Sequence, residues 1–169
     1  MKVLFVCVAN ENRSQIAEAI FNKLARGSHA TSAGLKPSLA GVLLKNERSR
    51  FVALMEDAGY DMSKAKVKRI NRRMADSAGR IVFLFEKKHL GDIPTYLRNR
   101  SGTELWEVES ISEEASVEEY AALEKKRIRQ IETRVKELLK RLEGFHDFAS
   151  ERRSRLRARC KMARKLSGT

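Results

Sequence analysis

Apolar positions along this chain switch between two periods. Val3-Leu4-Phe5-Val6-Cys7-Val8 is an unbroken run of β-branched and aromatic residues, the pattern of a strand buried on both faces. Ala9 to Ser14 follow as small or polar residues without a proline. Ile16, Ala17, Ile20, Phe21 and Leu24 then recur at helical spacing, which predicts an amphipathic helix closed at Arg26-Gly27. His29 to Gly34 reads as a second, short strand, and residues 35–46 as a loop around Pro37 and Gly41. Phe51, Leu54 and Met55 mark one face of a helix from about Glu47 to Ala58, stopped by Gly59. A short helix over 71–78 leads into Ile81-Val82-Phe83-Leu84-Phe85, the clearest buried strand after the first. Thr103 to Val108 alternates enough to lie nearer a sheet edge. The last periodic segment, from about Ser116 to Leu142, carries the seam Tyr120, Ile128, Ile131, Val135, Leu138 and Leu142 with charge opposite. Strands alternating with helices predict an α/β fold: a parallel sheet covered on both faces.

Length and composition narrow this picture. A chain of 169 residues, 42% hydrophobic, is enough for one core without disulfide or metal staples. It has only two cysteines, Cys7 and Cys160, and no apolar run approaching a membrane span, so a cytoplasmic protein is expected. His29, His89 and His146 lack metal-ligand spacing, and no metal or organic cofactor is expected. The net charge of +13 is uneven: residues 145–169 hold eight Lys and Arg against Asp147 and Glu151. The chain is therefore divided into an α/β domain, 1–144, and a basic C-terminal extension, 145–169. Leu156, Cys160 and Ala163 are spaced to share a helical face there, giving either a solvated terminus or a basic helix that meets a polyanion or a protein partner.

The candidate chemistry sits at the first strand-to-helix junction. Free N–H groups and the positive end of a helix dipole make such a loop an anion site. Cys7 lies at the end of the strand, where that field favours the nucleophilic thiolate. Arg13, after five intervening residues, offers a planar fork for two phosphoryl oxygens. Ser14 can support the sulfur as nucleophile and leaving group. Cysteine, five residues, arginine and serine together form a cradle for phosphoryl transfer.

This arrangement resembles the low-molecular-weight protein tyrosine phosphatase family and its arsenate reductase relatives. The resemblance rests on Cys7, Asn10, Arg13 and Ser14 between strand and helix, on Ser32-Ala33-Gly34, and on Met55 to Ser63, and it runs through the order of elements to Leu142. It implies a three-layer α/β/α fold with a four-stranded parallel sheet, followed here by the basic helical extension. It also implies a cysteine-dependent phosphomonoester hydrolase working through a phosphocysteine on a phosphorylated protein or small phosphomonoester. Cys7 and Arg13 would be catalytic. The loop Val8, Ala9, Asn10, Glu11, Asn12 and Ser14 would bind the phosphoryl group, and Ser32 would buttress it through Asn10.

The sequence also departs from the family pattern. The general acid is normally an aspartate in an aspartate-proline loop after the fourth strand, but residues 106–113 hold neither residue. Ser110 falls in the aspartate's place and cannot act as an acid near neutral pH. Glu109 is the acid expected instead, with Glu107 and Glu113 weaker choices. The loop after the second strand and the acid loop carry no aromatic residue, and Lys36 points to a small or acidic substrate. Ala9 stands where the family has glycine, and would be strained if that position needed φ > 0. The Arg13-Ser14-Gln15 spelling is closer to the reductases. Residues 83–90, at and after the third strand, hold no second cysteine, and Cys160 in the tail could serve only if the tail folded back, which leaves an arsenate reductase using an external thiol. A non-catalytic phosphate- or polyanion-binding protein of the same fold is the third reading.

Overall fold

The computed structural model describes the backbone of residues 1–25, 27–98, 100–111 and 115–166, and side chains as far as 143 within those ranges. It divides into two compact units, Met1–Val135 and Lys136–Thr169.

The first unit is built on four parallel strands in the order β2-β1-β3-β4: β1 (Lys2–Cys7), β2 (His29–Gly34), β3 (Arg80–Leu84) and β4 (Thr103–Trp106). The strand expected nearer an edge, β4, is an edge strand, as β2 is on the other side. Central β1 is buried from Val3 to Cys7, so its apolar run serves both faces of the sheet. Leu4 and Val6 join Ile81 and Phe83 in a core closed by Ala75, Ile93 and Leu97. On the opposite face Phe5 packs edge-on to Phe21 and tilted against Trp106.

Helix α1 (Arg13–Leu24) starts directly after the polar loop and buries Ile16, Ala17, Ile20 and Phe21, while Leu24 at its end is exposed. The helix expected over 47–58 is α3 (Ser49–Asp57); a separate turn, α2 (Leu44–Glu47), precedes it at the end of the segment expected as a loop, and the two are broken at Arg48, whose φ of −131° and ψ of 43° are not helical. The stop at Gly59 is real, with φ +84°. In α4 (Arg72–Ser77) the Asn71 side chain accepts the Met74 N–H, an N-cap that sets the start. A 3-10 turn (Lys87–Asp92) and α5 (Thr95–Arg98), both too short to show a hydrophobic period, occupy the segment after β3. The final helix α6 runs from Val117 to Leu166, which places Val135 inside it, and its Ile128, Ile131 and Val135 are buried as their spacing predicts. Among the described residues no helix is long and apolar enough to cross a membrane.

All four strands run the same way, so the loops leaving their carboxyl ends share one edge of the sheet. Cys7, Leu35, Phe85-Glu86 and Glu107 to Ile111 all follow from those ends, and in open parallel sheets this is where ligands bind.

Candidate active site

Cys7 is 2% exposed at the end of β1, and the chain turns immediately above it. The turn is made by Asn10, the one non-glycine residue with positive φ (59°) among the described residues. Asparagine tolerates this left-handed conformation better than most L residues. Ala9 therefore carries none of the strain that a positive φ would impose on it. The turn brings the Asn10 N–H to 3.1 Å from Cys7 Sγ.

The Asn10 amide holds the loop together. Its Nδ2 donates to Ser14 Oγ at 2.9 Å and to Ser32 Oγ at 2.8 Å, and its Oδ1 accepts from the Lys68 N–H at 2.7 Å and Gln15 Nε2 at 3.1 Å. Ser14 Oγ, which accepts from Asn10, also lies within hydrogen-bond distance of Cys7 Sγ, 3.0 Å away. The Asn10 N–H and the Ser14 hydroxyl thus both face the sulfur. Ser32 passes its proton on to Glu18, whose carboxylate is also paired with Lys68 Nζ at 2.9 Å. Asn10, Ser14 and Ser32 are completely buried, and none of their buried side-chain N or O atoms lacks a hydrogen-bond partner. Beneath the loop, Gly34 allows a close approach: a Cβ there would stand 2.8 Å from the Ala9 carbonyl carbon.

Arg13 is oriented from behind. Its Nη1 donates to Glu86 Oε2 at 3.0 Å and to the Val108 carbonyl at 2.8 Å, and Glu86 Oε1 accepts the Ser110 N–H at 2.9 Å. Burial opposes the charge on Glu86, but the Ser110 N–H, its own N–H and Arg13 together lower its pKa to about 2. A carboxylate with a lowered folded pKa stabilises the fold above its ordinary value of 4.5 and loses that contribution as pH falls toward 2. Urea midpoints should therefore fall more steeply between pH 4.5 and 2 for the native chain than for Glu86→Gln; parallel curves would show that Arg13 and Ser110 do not hold this carboxylate.

Cys7, Ala9, Glu11, Asn12 and Arg13 line a cleft of about 650 Å³, with Arg48, Phe51, Ile111, Tyr120 and Arg127 among its other walls. Aromatic residues thus reach the cleft from α3 and α6 rather than from the two loops where they were looked for. Glu11 turns away from the cradle to pair with Arg48. Lys36 is bound to Asp92 at 2.6 Å and is absent from the cleft lining, so it gives no indication of substrate. The Glu109 side chain is exposed and does not line the cleft; its carbonyl accepts from Arg127 Nη2 at 2.9 Å. Glu107 pairs with Lys87, and Glu113 lies outside the described residues. Cys7 is a free cysteine, and the Cys160 side chain lies outside the described set.

Sequence reasoning missed Gln15, Glu18, Glu86 and the Arg127–Glu124 pair. Glu86 could have been found, since it follows a buried parallel strand at the end where sites form. Arg127 has no such signal, being one of many basic residues on a charged helix.

The family model for low molecular weight phosphotyrosine protein phosphatase matches residues 2–146, and the chain belongs to this family. Solved structures agree on the fold. The low-molecular-weight protein tyrosine phosphatase of T. tengcongensis is 22% identical, with a TM-score of 0.67, covering 83% of this chain and 99% of that one. The YwlE arginine phosphatase of Geobacillus stearothermophilus is 17% identical at a TM-score of 0.67, covering 85% and 93%. An arsenate reductase of Archaeoglobus fulgidus is 26% identical at a TM-score of 0.58, covering 81% and 98%. No curated protein sequence matches the chain.

Proposed function

We propose that the protein is a cysteine-dependent phosphomonoester hydrolase that works through a phosphocysteine. One observation carries this reading: Cys7 Sγ sits between the Asn10 N–H and the Ser14 hydroxyl on the floor of a cleft that Arg13 also lines. Cys7 Sγ attacks the phosphorus and the ester oxygen departs; water then attacks the phosphocysteine, releasing phosphate and returning the thiolate, which Ser14 supports as it leaves. The amides of Val8, Ala9, Asn10, Glu11, Asn12 and Ser14, with the remaining N–H groups of Arg13, hold the phosphoryl oxygens as their charge grows. Ser32 keeps the loop in shape through Asn10.

The leaving oxygen also needs a proton. Glu109 remains the acid proposed from sequence, but its exposed side chain outside the cleft lends it no geometric support. If Glu109 is the acid, Glu109→Gln should slow phenyl phosphate far more than p-nitrophenyl phosphate, whose leaving group needs little protonation. Equal, small effects on both would remove Glu109 from the mechanism.

The direct test is rapid acid quenching during turnover of p-nitrophenyl phosphate, with mass analysis of the peptide containing Cys7. One added phosphoryl group on Cys7 is expected. A folded, reduced protein that binds inorganic phosphate and turns over no ester would leave the phosphate-binding reading. Arsenate reductase activity with an external thiol is the second reading, favoured by Gln15, which follows Arg13-Ser14 and donates to the Asn10 carbonyl at 3.2 Å. Glutathione-dependent arsenite production without ester hydrolysis would establish it. We also propose that the basic extension 145–169 meets a polyanion or acidic protein; a steep fall of RNA or DNA binding with salt, lost on removing 145–169, is the expected signature.

A further inference from the structure

The cleft holds a second buried arginine that the phosphate-loop pattern does not include. Arg127, on α6, is 8% exposed and lines the same cleft as Cys7 and Arg13. Its Nη1 donates to Asn12 Oδ1 at 2.9 Å and to Glu124 Oε2 at 3.0 Å, and its Nη2 to the Glu109 carbonyl at 2.9 Å. A guanidinium carries five N–H donors. The Nε–H and one Nη2–H of Arg127 are thus left without an acceptor among the described residues.

Arg13 is built the same way. Both protons of its Nη1 are taken by groups behind it, Glu86 and the Val108 carbonyl, which leaves its other edge for the cleft. Each arginine therefore has a carboxylate at its back, and the Glu124 carboxylate is completely buried. Burial raises the Glu124 pKa, while burial and the charge of Arg13 oppose the charge on Arg127. A buried pair of this kind is expensive to desolvate and is weak evidence of stabilisation by itself. Two like charges facing one cleft add repulsion, which an anion between them removes.

We propose that Arg127 is a second oxyanion-binding arginine, which with Arg13 takes a dianionic tetrahedral oxyanion in the cleft while Glu124 serves as its counter-ion. This rests on the phosphate-cradle reading and applies equally to a phosphoryl group or arsenate. A strut that only joined Asn12 to the Glu109 carbonyl would need the hydrogen-bonding fork and not the charge, and that difference gives the test.

Binding of inorganic phosphate is measured calorimetrically across pH 5.5–8.5, without turnover, for the native protein, Arg127→Lys and Arg127→Met/Glu124→Gln. The double variant removes both charges together and leaves no unpaired buried ion. Its Kd is expected to rise about tenfold or more, with most of the preference for dianionic over monoanionic phosphate lost. Arg127→Lys keeps the charge but cannot keep all of the strut bonds, and should stay within about threefold of native. Arsenate in place of phosphate should repeat the pattern. Native-like phosphate binding by the folded double variant would overturn the inference, as would a lysine variant as weak as the double one. If the native protein bound no phosphate, the cradle reading itself would fall.

Discussion

Replacing Cys7 by serine is expected to lower p-nitrophenyl phosphate turnover by at least about 10³-fold and to leave phosphate binding within a few-fold of native. A serine Oγ in the same place would still meet the Asn10 N–H and the Ser14 hydroxyl. The loop is held by Asn10, Ser14, Gln15 and Ser32 rather than by the sulfur alone, so its shape should survive. An alcohol is far harder to ionise than a thiol, however, and the surrounding donors cannot close that gap. Steady-state rates beside phosphate titrations check the pair of expectations. Retained turnover would mean that phosphorus is attacked by something other than Cys7, such as an activated water.

Gly34→Ala is expected to cut turnover by about 10²-fold and to destabilise the fold by about 1–3 kcal/mol, although Gly34 contacts no substrate in the proposed mechanism. The added Cβ would lie 2.8 Å from the Ala9 carbonyl carbon and 2.9 Å from the Val8 carbonyl oxygen. Both are backbone atoms, so no side-chain rotation relieves the clash, and the phosphate loop must lift. Lifting it moves the Asn10 N–H relative to Cys7 Sγ, and the cradle depends on that distance. Gly91→Ala is the control: a Cβ there meets nothing within 4 Å, and the substitution should be close to neutral in melting temperature and rate. Equal behaviour of the two variants would show that the phosphate loop tolerates displacement from below.

Much of the architecture was legible because it is local. A double-sided strand needs a continuous apolar run, and β1 and β3 have one. Helix α3 was legible because Phe51, Val52 and Met55 keep the spacing of one buried face, whereas the four-residue α2 is too short to show a period. Leu24 satisfied the helical period yet is exposed, since period alone cannot tell where a helix end leaves the core.

The same division runs through the site. Cys7, Asn10, Arg13 and Ser14 lie at one strand-to-helix junction, and the geometry of a strand entering a helix brings them together, so their spacing alone was enough to single them out as a group. The groups that tune the cradle come from elsewhere. Glu86 follows the third strand, Gly34 ends the second, and Arg127 and Glu124 stand on the last helix, more than one hundred residues from Cys7. Hydrophobic periodicity and loop chemistry are read between neighbours in the chain, so the sequence by itself determined the parallel sheet, the family and the position of the candidate loop. Which carboxylate backs which arginine, which wall Tyr120 joins, and why Glu109 turns only its carbonyl toward Arg127 depend on how strand ends and helices meet in space, and only the tertiary structure decided them.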